Sequence, residues 1–322
     1  ADRICTRLLA KAPDDRFASA NHLLHILHAG LASTDANRLR NPVLVGRTAE
    51  ASQFRNLLAR LHNRGSGQGG GDAILIEAEP GMGRSRICSE LARLAREMGL
   101  DVSHVSSQSP EQRAFEGFRR VYEDLREARP DFDAPALHNI FGQGTAMERV
   151  ERWAVMGAMS EMIDDGRSRV LIIEDIEQAD RGTLEMTEYL VRHLLAAREN
   201  PSLLLVLSRQ VPEREDPLAS LISGETTRFP FKKMVLHPIS HSAVEEMLLT
   251  FIQDGPGTLE LARRLHKEGD GNPFFIGEMI RGLVDDGVIE LSDDDRGQLN
   301  IPVHQLQSLP LPLPPTLRGA VR

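Results

Sequence analysis

Residues 78–85 read A-E-P-G-M-G-R-S, and their types are those of a loop that holds a phosphate. Gly81 and Gly83 permit the turns by which main-chain N–H groups converge on one anion. Ser85 offers a hydroxyl to Mg²⁺. Against the form G-x-x-x-x-G-K-[ST], Gly83 and Ser85 fit, Ala78 stands at the first glycine, and Arg84 stands at the lysine. Ala78 is small enough to begin the turn. Arg84 changes the chemistry, because its planar fork is wider and longer than an ammonium. Phosphate binding survives that exchange better than the geometry that transfer needs. Farther on, V-L-I-I is followed by Glu174 and Asp175. One carboxylate could hold Mg²⁺ through water, and the other could orient an attacking water. Arg209 ends the run L-L-L-V-L-S-R, where it could reach a terminal phosphate or lie on the surface.

These groups act together only if regular elements deliver them. Ile74–Ile76 have the length and branching of a buried strand, and Ile87, Leu91, Leu94 and Met98 put an apolar stripe on a helix. Strand, glycine loop, helix is the order in which amides and a helix N-terminus face one anion. Residues 170–173 and 201–208 are further apolar strands, and 101–107 is a candidate strand. Helices are expected near 113–128, 146–165 and 183–197, and another carries Phe54, Leu57, Leu58 and Leu61. Parallel strands present their C-terminal ends at one edge, so Glu174 and Asp175 should lie beside the loop. An ordinary turn and a strand ending in solvated acids are the plainer readings of each piece taken alone. Their joint occurrence in an alternating β/α chain favours the phosphate site.

A second G-x-G-x-x-G, at Gly65, Gly67 and Gly70, has a helix before it and a strand after, so it reads as a flexible loop. After residue 213 the prolines Pro217 and Pro230 break the chain. A short strand at 233–236 and helices near 240–253 and 257–268 follow. Asn272 should cap a further helix with Pro273 in its first turn. Residues 288–291 and 298–301 could pair as a hairpin, and L-P-L-P-P is an extended spacer.

Composition narrows the classes. The chain has 322 residues, 41% hydrophobic, enough for about two ordinary domains. The net charge of −9 argues against a large nucleic-acid face. Cys5 and Cys88 give neither metal spacing nor a disulfide framework, which fits a reducing, cytoplasmic setting. No stretch approaches the ~20 apolar residues of a membrane span. The absence of an initiator Met at Ala1 leads to the expectation of a fragment. His22, His25 and His28 read as a solvated helix flank.

L-L-A-K-A-P-D-D-R-F-A-S-A near the start resembles the last helices of a eukaryotic-type Ser/Thr kinase lobe, without any H-R-D or D-F-G segment. V-G-R at Val45–Arg47, A-E-P-G-M-G-R-S, I-I-E-D-I-E-Q-A-D, L-V-L-S-R and G-N-P-F-F stand in an order that resembles the ATPase module of the STAND branch of AAA+-related P-loop proteins. Such modules occur in bacteria behind a Ser/Thr kinase domain, or within transcription regulators. The resemblance implies an α/β fold, a three-layer αβα P-loop NTPase core with a parallel sheet, followed by a helical lid. It implies a kinase remnant at 1–30, a linker at 31–41, the core at 42–212, the lid at 213–305 and a truncated further domain at 306–322. It implies ATP or ADP with Mg²⁺ between core and lid. Ala78, Pro80, Gly81, Gly83, Arg84, Ser85 and Arg86 would take the phosphates, with Ser85 and Glu174 on Mg²⁺. Asp175 and Glu174 would be the catalytic acids and Arg209 the sensor. Val45, Gly46 and Arg47 would line the base pocket, and Pro273 would lie near the adenine. Glu177 and Gln178 replace the His-Trp usual after the acids. The expected role is a slow or silent nucleotide switch acting on neighbouring kinase and sensor domains, with neither membrane nor nucleic acid as a direct partner. A degenerate scaffold that has lost its ligand is the alternative.

Overall fold

The apolar runs form one sheet. The computed structural model describes residues 44–63, 72–107, 114–143, 149–195, 203–210, 231–290, 297–306 and 308–311. The kinase-like segment at 1–30, the linker at 31–41 and the glycine-rich stretch at 65–71 lie outside these.

The described residues fall into two units, one within 47–238 and one made of Leu44–Gly46 with residues from 239 onward. In the first unit, α1 (Thr48–Asn63) precedes β1 (Asp72–Ala78), α2 (Arg84–Glu97) and β2 (Asp101–Ser106). Helices α3 (Arg119–Ala128) and α4 (Arg149–Ile163) lead to β3 (Arg169–Glu174). Then come α5 (Arg181–Leu190), β4 (Leu203–Gln210) and β5 (Lys232–Val235). The strands lie in the order β2-β3-β4-β1-β5, and every pairing is parallel.

Alternation divides the sheet's two faces. Ala73, Leu75, Leu171, Ile173, Leu205 and Leu207 join one core with residues of α3, α4 and α5, including Val121, Leu125, Met159 and Met186. Ile74, Ile76, Val170, Ile172, Leu204 and Val206 are equally buried on the other face, where α2 packs against β1, β3 and β4, and α1 against β4. Cover on both faces explains why these strands read as unbroken apolar runs. The fold is the three-layer α/β architecture that the sequence implies.

One boundary moves. The strand at 232–235 pairs with β1 along Ile74–Glu77, so the core sheet extends past 212 and the segment after 213 is not all lid. Its edge position explains its appearance: only Met234 of Lys232–Val235 is buried, and lysines on an edge strand discourage further pairing.

The second unit packs α6 (His241–Leu249), α7 (Thr258–Glu268) and α8 (Pro273–Asp285) around Val244, Leu248, Leu265, Ile276 and Ile280. Asn272 caps α8 by accepting from the Phe274 N–H at 3.0 Å, with Pro273 in the first turn, as the sequence leads one to expect. Ile289–Glu290 and Gln298–Leu299 pair antiparallel. Among the described residues no helix is long and apolar enough to cross a membrane.

Candidate functional site

β1 ends at Ala78, and the chain turns through Glu79–Gly83 before α2 begins. Gly81 (φ 83°) and Gly83 (φ 90°) are left-handed, a region that a side chain at either position would strain. Met82 is buried, and its carbonyl accepts from Arg47 Nη2 at 3.1 Å. Arg47, itself buried, also reaches Glu50 at 3.3 Å. It therefore braces the loop from below, a role the V-G-R reading did not foresee.

No side chain caps α2. Its first turn holds no acid but carries Arg84 and Arg86. Cations at the positive end of a helix are unfavourable unless an anion accompanies them. Here carboxylates supply part of that balance. Arg84 Nη2 lies 2.8 Å from Asp175 Oδ1, and Nη1 lies 3.3 Å from Glu177 Oε1. Ser85 donates its hydroxyl to Glu174. The loop after β1 and the acids after β3 thus meet across the end of β4. Asp175 adopts φ 50° as β3 gives way to one tight turn, Ile176–Gln178. Such a conformation in a non-glycine residue marks a functional or strained position. Glu177 Oε1 also accepts from the Gln210 N–H at 3.1 Å, which ties this turn to the end of β4. Asp180 closes the segment. It accepts from the Thr183 N–H at 3.0 Å to cap α5 and from the Phe115 N–H at 2.9 Å.

Burial pushes the Glu174 carboxyl above its ordinary range; Asp175 adds to the shift, while Ser85 and Arg84 oppose it. His104 Nδ1 lies 3.9 Å away. Burial, with Arg96 and Arg120 nearby, lowers the imidazole pKa, so at neutral pH this is a contact with a neutral ring. The folded chain holds the Glu174 proton at pH values where the unfolded chain has released it. Stability therefore falls as pH rises above the ordinary value of 4.5, and the cost persists at neutrality. Glu174→Gln should raise the thermal midpoint at neutral pH by a few degrees and flatten this decline. Thermal unfolding followed across that pH range checks it.

Arg209 is buried and not on the surface. It is 5% exposed, and its Nε and Nη2 lie 2.8 Å and 2.5 Å from Glu77 Oε1. Lys233 from β5 reaches the other oxygen of Glu77. The reason is register: Glu77 and Arg209 are direct partners on adjacent parallel strands. Glu77, 1% exposed, escaped the sequence reading. The signal was present as one acid and one base, each near the end of an otherwise apolar run.

Ser85, Glu174 and Asp175 are the hard oxygen donors that Mg²⁺ prefers. Among the described residues no three His, Cys, Asp or Glu form a ready-made cage. Mg²⁺ commonly keeps several waters and is held by one or two carboxylates together with phosphate oxygens. Arg84 already engages Asp175, so Ser85 and Glu174 are the better-placed donors. Arg86 is half-buried in the first turn of the helix, with its pKa lowered by burial. Val45, Gly46 and Pro273 belong to the second unit. Val45 is buried in that unit's core. A Cβ at Gly46 would meet that of Ala243 at 2.5 Å.

A family model described as AAA ATPase domain matches residues 43–206, half of the chain. No curated protein matches. Among solved structures, Cdc6p from Pyrobaculum aerophilum is 13% identical, with a TM-score of 0.53 over 78% of this chain and 66% of that one. Orc1 from Aeropyrum pernix, solved in complex with DNA, is 14% identical, with a TM-score of 0.52 over 84% of this chain and 68% of that one. The Thermotoga maritima RuvB branch migration motor is 13% identical, with a TM-score of 0.43 over 82% and 68%. At these identities the likeness concerns the fold.

Proposed function

Because this chain belongs to the AAA ATPase domain family, we propose that its loop at 78–86 binds the phosphates of ATP or ADP and that binding, more than hydrolysis, is its task. The observation that carries this reading is the junction of Gly81, Gly83, Arg84 and Ser85 with Glu174 and Asp175 at the C-terminal edge of the sheet. A polyphosphate there meets helix-terminal amides, two left-handed glycines and the Arg84 guanidinium. Arg47 holds the loop's backbone in place through the Met82 carbonyl. Ser85 and Glu174 would hold Mg²⁺, which supplies charge neutralisation between phosphate oxygens when bound. With Glu174 on Mg²⁺, orienting an attacking water would fall to Asp175. Asp175 is occupied by Arg84, which favours slow turnover.

By resemblance, Val45, Gly46 and Pro273 are assigned to the base. The same resemblance makes the module a STAND-type switch whose nucleotide state is passed to neighbouring kinase or sensor domains. The second reading, a scaffold without ligand, is favoured by one observation: Arg84 is satisfied by this chain's own carboxylates. Mass analysis of nucleotide retained through gentle purification separates the two. Bound ADP or ATP supports the switch. A protein that carries none and gains no thermal stability at millimolar nucleotide would favour the scaffold.

A further inference from the structure

Arg84 has two claimants. The carboxylates of Asp175 and Glu177 hold it at 2.8 Å and 3.3 Å, and a phosphate in the loop would need the same guanidinium. The two carboxylates differ in what else they do. Asp175 belongs to the acidic pair ending β3, whereas Glu177 sits within the following turn and spends one oxygen on both Arg84 and the Gln210 N–H. That shared oxygen fixes the resting position of the guanidinium against the end of β4. We propose that Glu177 is a positioning residue that competes with phosphate for Arg84, and so sets the nucleotide affinity of this site. The inference rests on the nucleotide reading above. In the resting state Arg84 bridges Asp175 and Glu177. When nucleotide enters, the guanidinium turns toward the phosphate and releases Glu177, while the Gln210 contact remains. Glu177 would thereby hold affinity low, as a switch that must exchange nucleotide requires.

Glu177→Gln keeps an oxygen for the Gln210 N–H and removes the charge that holds Arg84. Glu97→Gln, on an exposed carboxylate at the far end of α2 and outside the phosphate loop, removes the same charge as a control. Calorimetric titration of ADP and of Mg-ATP into the wild-type chain and both variants tests the proposal. Glu177→Gln should tighten binding by about two- to fivefold, the worth of a partly exposed ion pair, and Glu97→Gln by less than about 1.5-fold. A gain of affinity is a result that mere structural damage does not give. Wild-type binding that Glu177→Gln leaves equal or weaker, or an equal gain from Glu97→Gln, overturns the inference alone. Absence of binding in all three proteins overturns the nucleotide reading and this inference with it.

Discussion

Arg209→Met is expected to lower the unfolding free energy of the first unit by about 3 kcal/mol, the lower end of the cost of stranding one member of a buried ion pair. Glu77 would stay in the sheet with the Lys233 ammonium as partner but without the guanidinium that contacts it twice. Loss of one partner leaves a charge whose desolvation is no longer offset. The double variant Glu77→Leu with Arg209→Met should recover most of the loss, because a buried pair replaced by apolar groups is often neutral. Urea unfolding of the three proteins checks both statements. Nucleotide binding by Arg209→Met, measured below its unfolding transition, should stay within about twofold of wild type if the arginine serves only the sheet. A large loss of affinity without a loss of stability would return Arg209 to the sensor role that its position at the end of β4 first suggests.

Arg84→Ala should act the other way, strongly on nucleotide and weakly on the fold. Arg84 belongs to the phosphate loop and also contacts the acids after β3. A charge-assisted contact to phosphate is worth about 1.5–3 kcal/mol, so the variant should bind ADP about 10- to 100-fold more weakly. Its thermal midpoint should change little, since Asp175 and Glu177 are near enough to solvent to rehydrate. Titration calorimetry paired with thermal unfolding reads both effects. Undiminished ADP affinity would remove Arg84 from the phosphate site.

The contrast between these two arginines shows what the sequence discloses. The loop, its helix and the acids after β3 are local patterns: glycines at fixed offsets, an apolar run, a helical stripe. Parallel pairing then brings the ends of β1 and β3 to one edge, so Gly83, Ser85, Glu174 and Asp175 could be placed from sequence. Arg209 could not, because its partner Glu77 is distant in the chain and only the β1–β4 register joins them. The boundary near 213 failed for a related reason. The prolines before Lys232 suggest a new domain, while an edge strand with a single buried residue gives little sign of the sheet it joins. Val45 and Arg47 stand in one short motif yet serve different units: one lies in a helical core, and the other braces the phosphate loop. Glu177 was legible only as a departure from the His-Trp pattern. Its bond to Gln210 and its hold on Arg84 depend on two loops meeting in space.

The central claim is that the amides and arginine between β1 and α2 receive a polyphosphate. Calorimetric titration of ADP into the purified chain, freed of any bound nucleotide, tests it most directly. The account predicts saturable heat with one site per chain and a dissociation constant below about 1 mM, equivalent to at least about 4 kcal/mol of binding free energy. A flat titration at millimolar ADP, from a chain shown to be folded, would contradict it.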